Sequence, residues 1–228
     1  MRVELQPAYV LHARPFKDTS VILDCLTQDH GRVAVLAKGA RSAKSRQRQL
    51  CQPFTPLWIS WQGKTDLKTM VGLEASDLPL SLKADHLYSG LYLNELLTRL
   101  LPERDECRET FERYVAALRQ LACTGDLEPI LREFELGLLD DMGYAVNFSC
   151  DQVGQPLSES GCYVWRDHSG WELSATVRPH NFSGWCLLAM GVNDWADPLT
   201  RKQAKYLTRG LLKPLLGSRP LNSRKLFV

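Results

Sequence analysis

Apolar and polar positions alternate in short blocks between residues 8 and 75, and from residue 82 the spacing lengthens to that of helices. AYVLHAR, SVILDCLT and RVAVLAK are runs of β-branched and apolar residues, separated by the turn-prone PFKDT and QDHG. Such runs, bounded by turn chemistry, predict strands. PFTPLWISW and DLKTMVGLEA continue the pattern on either side of QGKT, which reads as a hairpin turn. Five short strands in fewer than 80 residues predict a small closed barrel, for which a five-stranded oligonucleotide/oligosaccharide-binding (OB) topology is the common solution. Strand alternation would place Phe54 and Trp58 on one face and Trp61 on the other.

Beyond Leu82 the apolar positions recur at helical spacing. Leu87, Leu91, Leu93, Leu96, Leu97 and Leu100 define one stripe that stops at Pro102. Phe111, Tyr114, Val115, Leu118 and Leu121 define a second, and a third helix starts near Glu128-Pro129 and runs to Gly143. Residues 145–182 are irregular, with a hairpin expected at CYVWRDHSGWELS. A short apolar segment, GWCLLAMG, precedes a last helix, TRKQAKYLTRGLLKPLLG. The expected architecture is therefore α+β. A barrel occupies 1–80, a helical domain 81–144, a small irregular module 145–182, and a basic helical segment packing on the helical domain 183–228.

Charge changes this picture more than composition does. The 228 residues carry a formal net charge of only +2. Between Asp29 and Asp66 there is no acid, yet Arg32, Lys38, Arg41, Lys44, Arg46, Arg48 and Lys64 all fall there. After Asp197 there is again no acid, and eight cations follow, among them Arg201, Lys202, Lys205 and Arg209. Everything else holds 13 cations against all 26 acids. So polarised a chain implies a polyanionic partner, with nucleic acid first among the candidates. KGARSAKSRQR, residues 38–48, links the third and fourth strands and reads as an exposed, mobile loop. OB loops and faces commonly bind single strands, and Trp58 would supply a stacking surface beside the loop cations.

Other chemistry is set aside. QGKT lacks the earlier glycine of a phosphate-binding loop, since Trp58 stands there. Asp140 and Asp141 are adjacent on a helix and point about 100° apart, so they do not share an ion. The five histidines have no nucleophile or carboxylate at a recognisable spacing, and no catalytic constellation is expected. Seven cysteines at irregular spacings, with no CxxC pair, argue for reduced thiols and against a metal or disulfide framework. Neither a cofactor nor a membrane span is expected. The default location is cytoplasmic, nucleoid-associated when bound to DNA.

ARPFKDTSVILDCLTQDHGRVAVLAKGARSAKS, QPFTPLWISWQGKTDLKT, LYSGLYLNELLTRLLP and REFELGLLDDMGYAVNF together resemble the bacterial RecO recombination-mediator family, its gamma-proteobacterial branch most. The resemblance runs in order from about residue 8 to 225. It implies an N-terminal OB fold, a helical domain and a small zinc-finger-like module, here without the family's four cysteines. It also implies DNA repair through the RecF pathway: binding of single- and double-stranded DNA, annealing of complementary strands, and, with RecR, loading of RecA onto DNA covered by the single-stranded DNA-binding protein. Capture of that protein's acidic C-terminal tail is implied too, for which Arg132, Leu131, Phe134 and Leu138, with Arg119, offer a cation beside apolar groups. The rival expectation is an adaptor that grips acidic protein tails without touching DNA.

Overall fold

A computed structural model of the chain describes residues 2–42, 45–103, 105–123, 125–176 and 178–227. It divides into two compact units, Met1–Leu127 with Ser218–Val228, and Glu128–Gly217.

The first unit is built on the expected barrel. Its strands are β1 (Arg2–Phe16), β2 (Ser20–Thr27), β3 (Gly31–Ala37), β4 (Leu57–Gln62) and β5 (Lys68–Ala75). They close in the order β1-β2-β3-β5-β4, with β3 and β5 parallel and the other pairs antiparallel. This is the OB arrangement. Closure depends on the long β1, which pairs with β4 through its first half and with β2 through its second. Register shifts between Val3 and Gln6 and between Val10 and His12 bend it round the barrel. Inside lie Val10, Leu23, Cys25, Val33, Val35, Leu57, Ile59 and Trp61, all nearly or wholly buried.

The segment between β3 and β4 is less free than its composition implies. Ala40 and Cys51 are buried in the barrel core, and Leu50 packs against it. The Arg41 amide donates to the Thr19 carbonyl at 2.8 Å, tying the loop to the β1–β2 turn. A 3-10 turn over Arg46–Arg48 is capped by the Ser45 hydroxyl, which accepts from the Gln47 amide. Its apolar residues thus anchor a loop expected to be mobile. Phe54 is also placed differently. It precedes β4 with a φ of 68° and is buried, so it shares no strand face with Trp58.

Two helices complete this unit, α1 (Asp85–Leu100) and α2 (Arg108–Ala122). Tyr9, on the outer side of β1, packs edge-on to Tyr114 and tilted against Phe111. Gly31 shows how tightly the following chain crosses the barrel: a Cβ there would lie 1.8 Å from the Asp105 carbonyl oxygen. The chain's end returns to α1. The Glu95 carboxylate accepts from the amides of Asn222 and Ser223 and from the Ser223 hydroxyl, at 2.7–2.9 Å. Arg99 donates to the Arg219 and Pro220 carbonyls.

The second unit contains most of α3 (Leu127–Asp141), β6 (Cys162–Arg166), β7 (Gly170–Leu173), β8 (Phe182–Ser183), α4 (Gly184–Gly191) and α5 (Pro198–Leu216). The three helices expected to share a core therefore separate. α1 and α2 bind the barrel, whereas α3 joins the later elements. Its Glu133 accepts from the Trp195 indole N–H at 2.9 Å, and its Leu136 packs against the second core. α5 begins two residues earlier than its apolar pattern suggests, because Asp197 caps it: the carboxylate accepts from the Leu199 and Thr200 amides, and Pro198 fills the first turn.

The small sheet, ordered β7-β6-β8, holds a buried Trp171 against Trp165, Phe148 and Phe182. Its knuckle is organised by an amide side chain. Asn147 Oδ1 accepts from the Ser149 amide and hydroxyl, and its Nδ2 donates to Cys150 Sγ at 3.1 Å. Cys162 Sγ likewise accepts from Asn181 Nδ2 at 3.3 Å. Two thiols, each engaged by a neutral amide, do not fit the four-thiolate set of a structural zinc ion. Hydrogen bonds and aromatic packing hold this module.

Candidate nucleic-acid interface

Strand register decides which cations meet. Val21 pairs with Ala37, so β2 starts where β3 ends, and Phe16 pairs with Ser20 beside them. The Arg41 amide, bonded to the Thr19 carbonyl, brings the start of the β3–β4 loop to the same end. Two connections therefore converge there. The β1–β2 turn carries Lys17, and the start of the β3–β4 loop carries Lys38 and Arg41. All three are exposed, as is Arg48 farther along the loop. Asp18 shares the β1–β2 turn, so the end is cationic by excess, not exclusively. The β4–β5 turn, with Lys64 exposed on it, lies at the other end, because β5 runs parallel to β3 and Gln62 pairs with Arg2 at the start of β1. Lys68 is buried there and donates from Nζ to the Thr65 carbonyl at 2.7 Å, fixing that turn.

The expected site residues sort unequally against this end. Lys38 and Arg41 belong to it, and Lys64 does not, since the β4–β5 turn lies at the end where β3 begins. Lys44 lies outside the described residues, and for Arg46 only the backbone, within the 3-10 turn, is described. Arg32 is not part of it. It sits at the opposite end of β3, where its guanidinium pairs with Asp24 at 3.0 Å and donates to the Leu101 carbonyl at 3.1 Å. With only 13% of its side chain exposed, it braces the barrel against the segment after α1. Trp58 is exposed (40%) on the outside of β4, but its strand neighbours are Pro7 and Glu74. Along β1 its partner Pro7 is nine residues from Phe16, the last residue before the β1–β2 turn. Lys17 was missed in the sequence because Asp18 follows it, outside the acid-free window. Only the register reveals its place.

In the second unit, two of the four basic residues expected on the last helix are already engaged. Arg201 donates to the Trp195 and Ala196 carbonyls, and Lys205 pairs with Glu128 at 3.1 Å. Lys202 and Arg209 are exposed.

The proposed tail pocket on α3 is closed. Arg132 is 5% exposed, and its guanidinium donates to Glu135 Oε1 at 2.7 Å and to the Thr208 hydroxyl at 3.3 Å. Phe134 and Leu138 are core residues, and Leu131 is half-buried. Burial of an arginine in a leucine-rich helix follows from the carboxylate three residues on, which supplies the paired charge that a buried cation requires. Arg119 is exposed on α2, in the first unit.

A closed OB barrel with cations converging from two loops, joined to helical elements, defines an OB-fold protein suited to a polyanion. Comparison with known proteins specifies it further. The family model described as "Recombination protein O N terminal" matches residues 1–78, and "Recombination protein O C terminal" matches 83–225. The chain is 48% identical over 230 residues to a DNA repair protein RecO of Cellvibrio japonicus, covering 100% of this chain and 98% of that one. It is 44% identical over 224 residues to that of Sodalis glossinidius (97% and 86% covered), and 42% over 228 to that of Haemophilus influenzae (100% and 97%). The chain belongs to the RecO family.

Proposed function

We propose that this chain is a DNA repair and recombination mediator of the RecF pathway. In this reading it binds single- and double-stranded DNA and anneals complementary strands. With RecR it helps RecA load onto DNA covered by the single-stranded DNA-binding protein, whose acidic tail it engages, and RecF is a functional partner. The protein works in the cytoplasm, on the nucleoid when bound to DNA. No covalent step is involved. The observation that carries the reading is the convergence of Lys17, Lys38 and Arg41 at one end of the barrel.

The physics of annealing suits that arrangement. Two strands repel until their phosphates are neutralised, and cations that displace condensed counterions supply affinity without reading sequence. Base pairing then stabilises the product. Among the described residues no helix is long and apolar enough to cross a membrane. In tail capture Arg132 holds α3 in place and does not itself grip a carboxylate.

The test is a salt series of single-strand binding and annealing on the full chain carrying Lys17→Ala, Lys38→Ala and Arg41→Ala together. The log–log slope is expected to fall by about 2, at about 0.7 per lost phosphate contact. An unchanged slope, with annealing intact, would overturn the barrel-end assignment.

A further inference from the structure

One aromatic side chain in the second unit is exposed and yet held in place. Tyr206, on α5, is 53% exposed. His180 stacks on its ring with centroids 5.7 Å apart and planes 17° from parallel. The buried Phe182 lies tilted against the same ring at 5.8 Å. A surface tyrosine braced in this way has lost much of the rotamer freedom that binding would otherwise have to remove.

The helix arranges cations around this platform. At 100° per residue, Lys202, Arg209 and Lys213 fall within about 60° of Tyr206, while Thr200, Ala204, Leu207 and Leu212 turn to the core. All three cations are exposed, and Arg178, two residues before His180, is exposed too. From Lys202 to Lys213 the face is about 16 Å long at 1.5 Å per residue. That is roughly five phosphate spacings of a strand at 3.4 Å. No acid occurs after Asp197.

Gly210 leaves the platform open. Helical side chains lean toward the N-terminus, so residue 210 would lie over the turn that carries Tyr206. A Cβ at Gly210 would meet nothing within 4 Å. A mid-helix glycine is less favourable than alanine, and here core packing offers no reason for it.

We propose that this face of α5 is a second single-stranded DNA site, in which a base stacks on the open side of Tyr206 and the adjoining phosphates meet Lys202, Arg209, Lys213 and Arg178. Charge complementarity selects a polyanion, and the braced open ring selects one with unpaired bases over a duplex. The inference rests on the DNA-binding reading above and extends it. A protein that anneals needs to hold two strands, and this site lies in a different unit from the barrel end.

The experiment uses the full chain and an oligothymidylate, which forms no duplex. Photo-crosslinking with a halogenated uracil at one position is expected to label Tyr206. Tyr206→Ala is expected to weaken binding about 5- to 150-fold, with the salt slope unchanged and the thermal transition retained, whereas Tyr206→Phe keeps the affinity. Gly210→Leu is expected to weaken binding while stabilising the helix. Lys202→Gln with Arg209→Gln and Lys213→Gln is expected to lower the slope by about 2.

Crosslinks only elsewhere, together with unchanged affinity in all these variants, would overturn the site while leaving the DNA-binding reading intact. A wild-type chain that binds no DNA would overturn both. If the triple variant weakens duplex binding and Tyr206→Ala changes nothing, the face is an electrostatic surface and not a stacking site. If the variants lose an acidic peptide ending in phenylalanine but keep the oligothymidylate, the face belongs to a protein tail.

Discussion

The Tyr114 hydroxyl donates to Asn94 Oδ1 at 2.6 Å, and Asn94 in turn donates from Nδ2 to the Leu11 carbonyl at 3.0 Å. Three elements, α2, α1 and β1, are thereby joined by a buried polar chain that fixes how the first two helices sit on the barrel. Asn94 is 3% exposed and Tyr114 is fully buried. Unmade hydrogen bonds at such sites are costly because no water replaces them.

Asn94→Ala is expected to destabilise the chain by about 2–4 kcal/mol, since it strands both the Leu11 carbonyl and the Tyr114 hydroxyl. Tyr114→Phe should cost about 1–2 kcal/mol. Chemical denaturation checks both, and the double variant should lose less than the sum of the two singles. Full additivity would show that the two groups do not act as one chain.

Arg132 and Glu135 form the corresponding polar pair of the second unit. Arg132→Ala is expected to cost about 3–5 kcal/mol because it leaves the Glu135 carboxylate buried without its cation. Arg132→Met combined with Glu135→Leu should cost much less. Thermal melts of the three variants decide the matter. A stable, well-folded Arg132→Ala that specifically fails to bind an acidic tail peptide would restore Arg132 to a ligand role.

Stability should fall at both ends of the pH scale, for different groups. Burial pushes the Cys51 thiol up to about 11 and Cys25 higher still, and burial also raises the Tyr114 hydroxyl well above its ordinary value. Unfolded thiols ionise near 9 while the folded ones stay protonated. This contribution is therefore complete below pH 9 and declines as pH rises toward 11. At Glu95, burial alone would raise the carboxyl, but the Ser223 hydroxyl and amide, the Asn222 amide and the Arg99 charge outweigh it and hold it below the usual 4.5. Its contribution is present above that value and is lost as pH falls through the folded one. Hydrogen-exchange protection across residues 219–225, taken relative to the intrinsic rate at each pH, should fall first on acidification, and Glu95→Gln should show the same loss of protection at neutral pH.

Much of this architecture is legible in the sequence, and the exceptions share a cause. The five strands, the first two helices, the β6–β7 hairpin and α5 follow from local spacing, because each buries a face whose period is written in consecutive residues. The site is less legible because it depends on which strand ends coincide. Lys17 and Lys38 are 21 positions apart and meet only through the β1–β2 and β2–β3 pairings. Arg32 sits in the same acid-free stretch as Lys38, but six residues along one strand separate opposite ends of the barrel. Arg132 has a local clue, Glu135 one turn on, but helix-surface pairs share that spacing and only burial distinguishes them. Tyr206 carries no signal of its own. Its distinction is the partner, His180, brought to it by the small sheet.

The clasp of Glu95 on Asn222 and Ser223 has a consequence for how the molecule is made. Residues 218–228 belong with the barrel, so the intervening 128–217 are spliced into the first unit as an insert, attached at both ends. A ribosome delivers the barrel and its two helices before the second unit but their last segment only after it. The first unit therefore waits, incomplete, through the synthesis of the entire second one. A deletion of residues 219–228 would fall on the part of the protein that was made first.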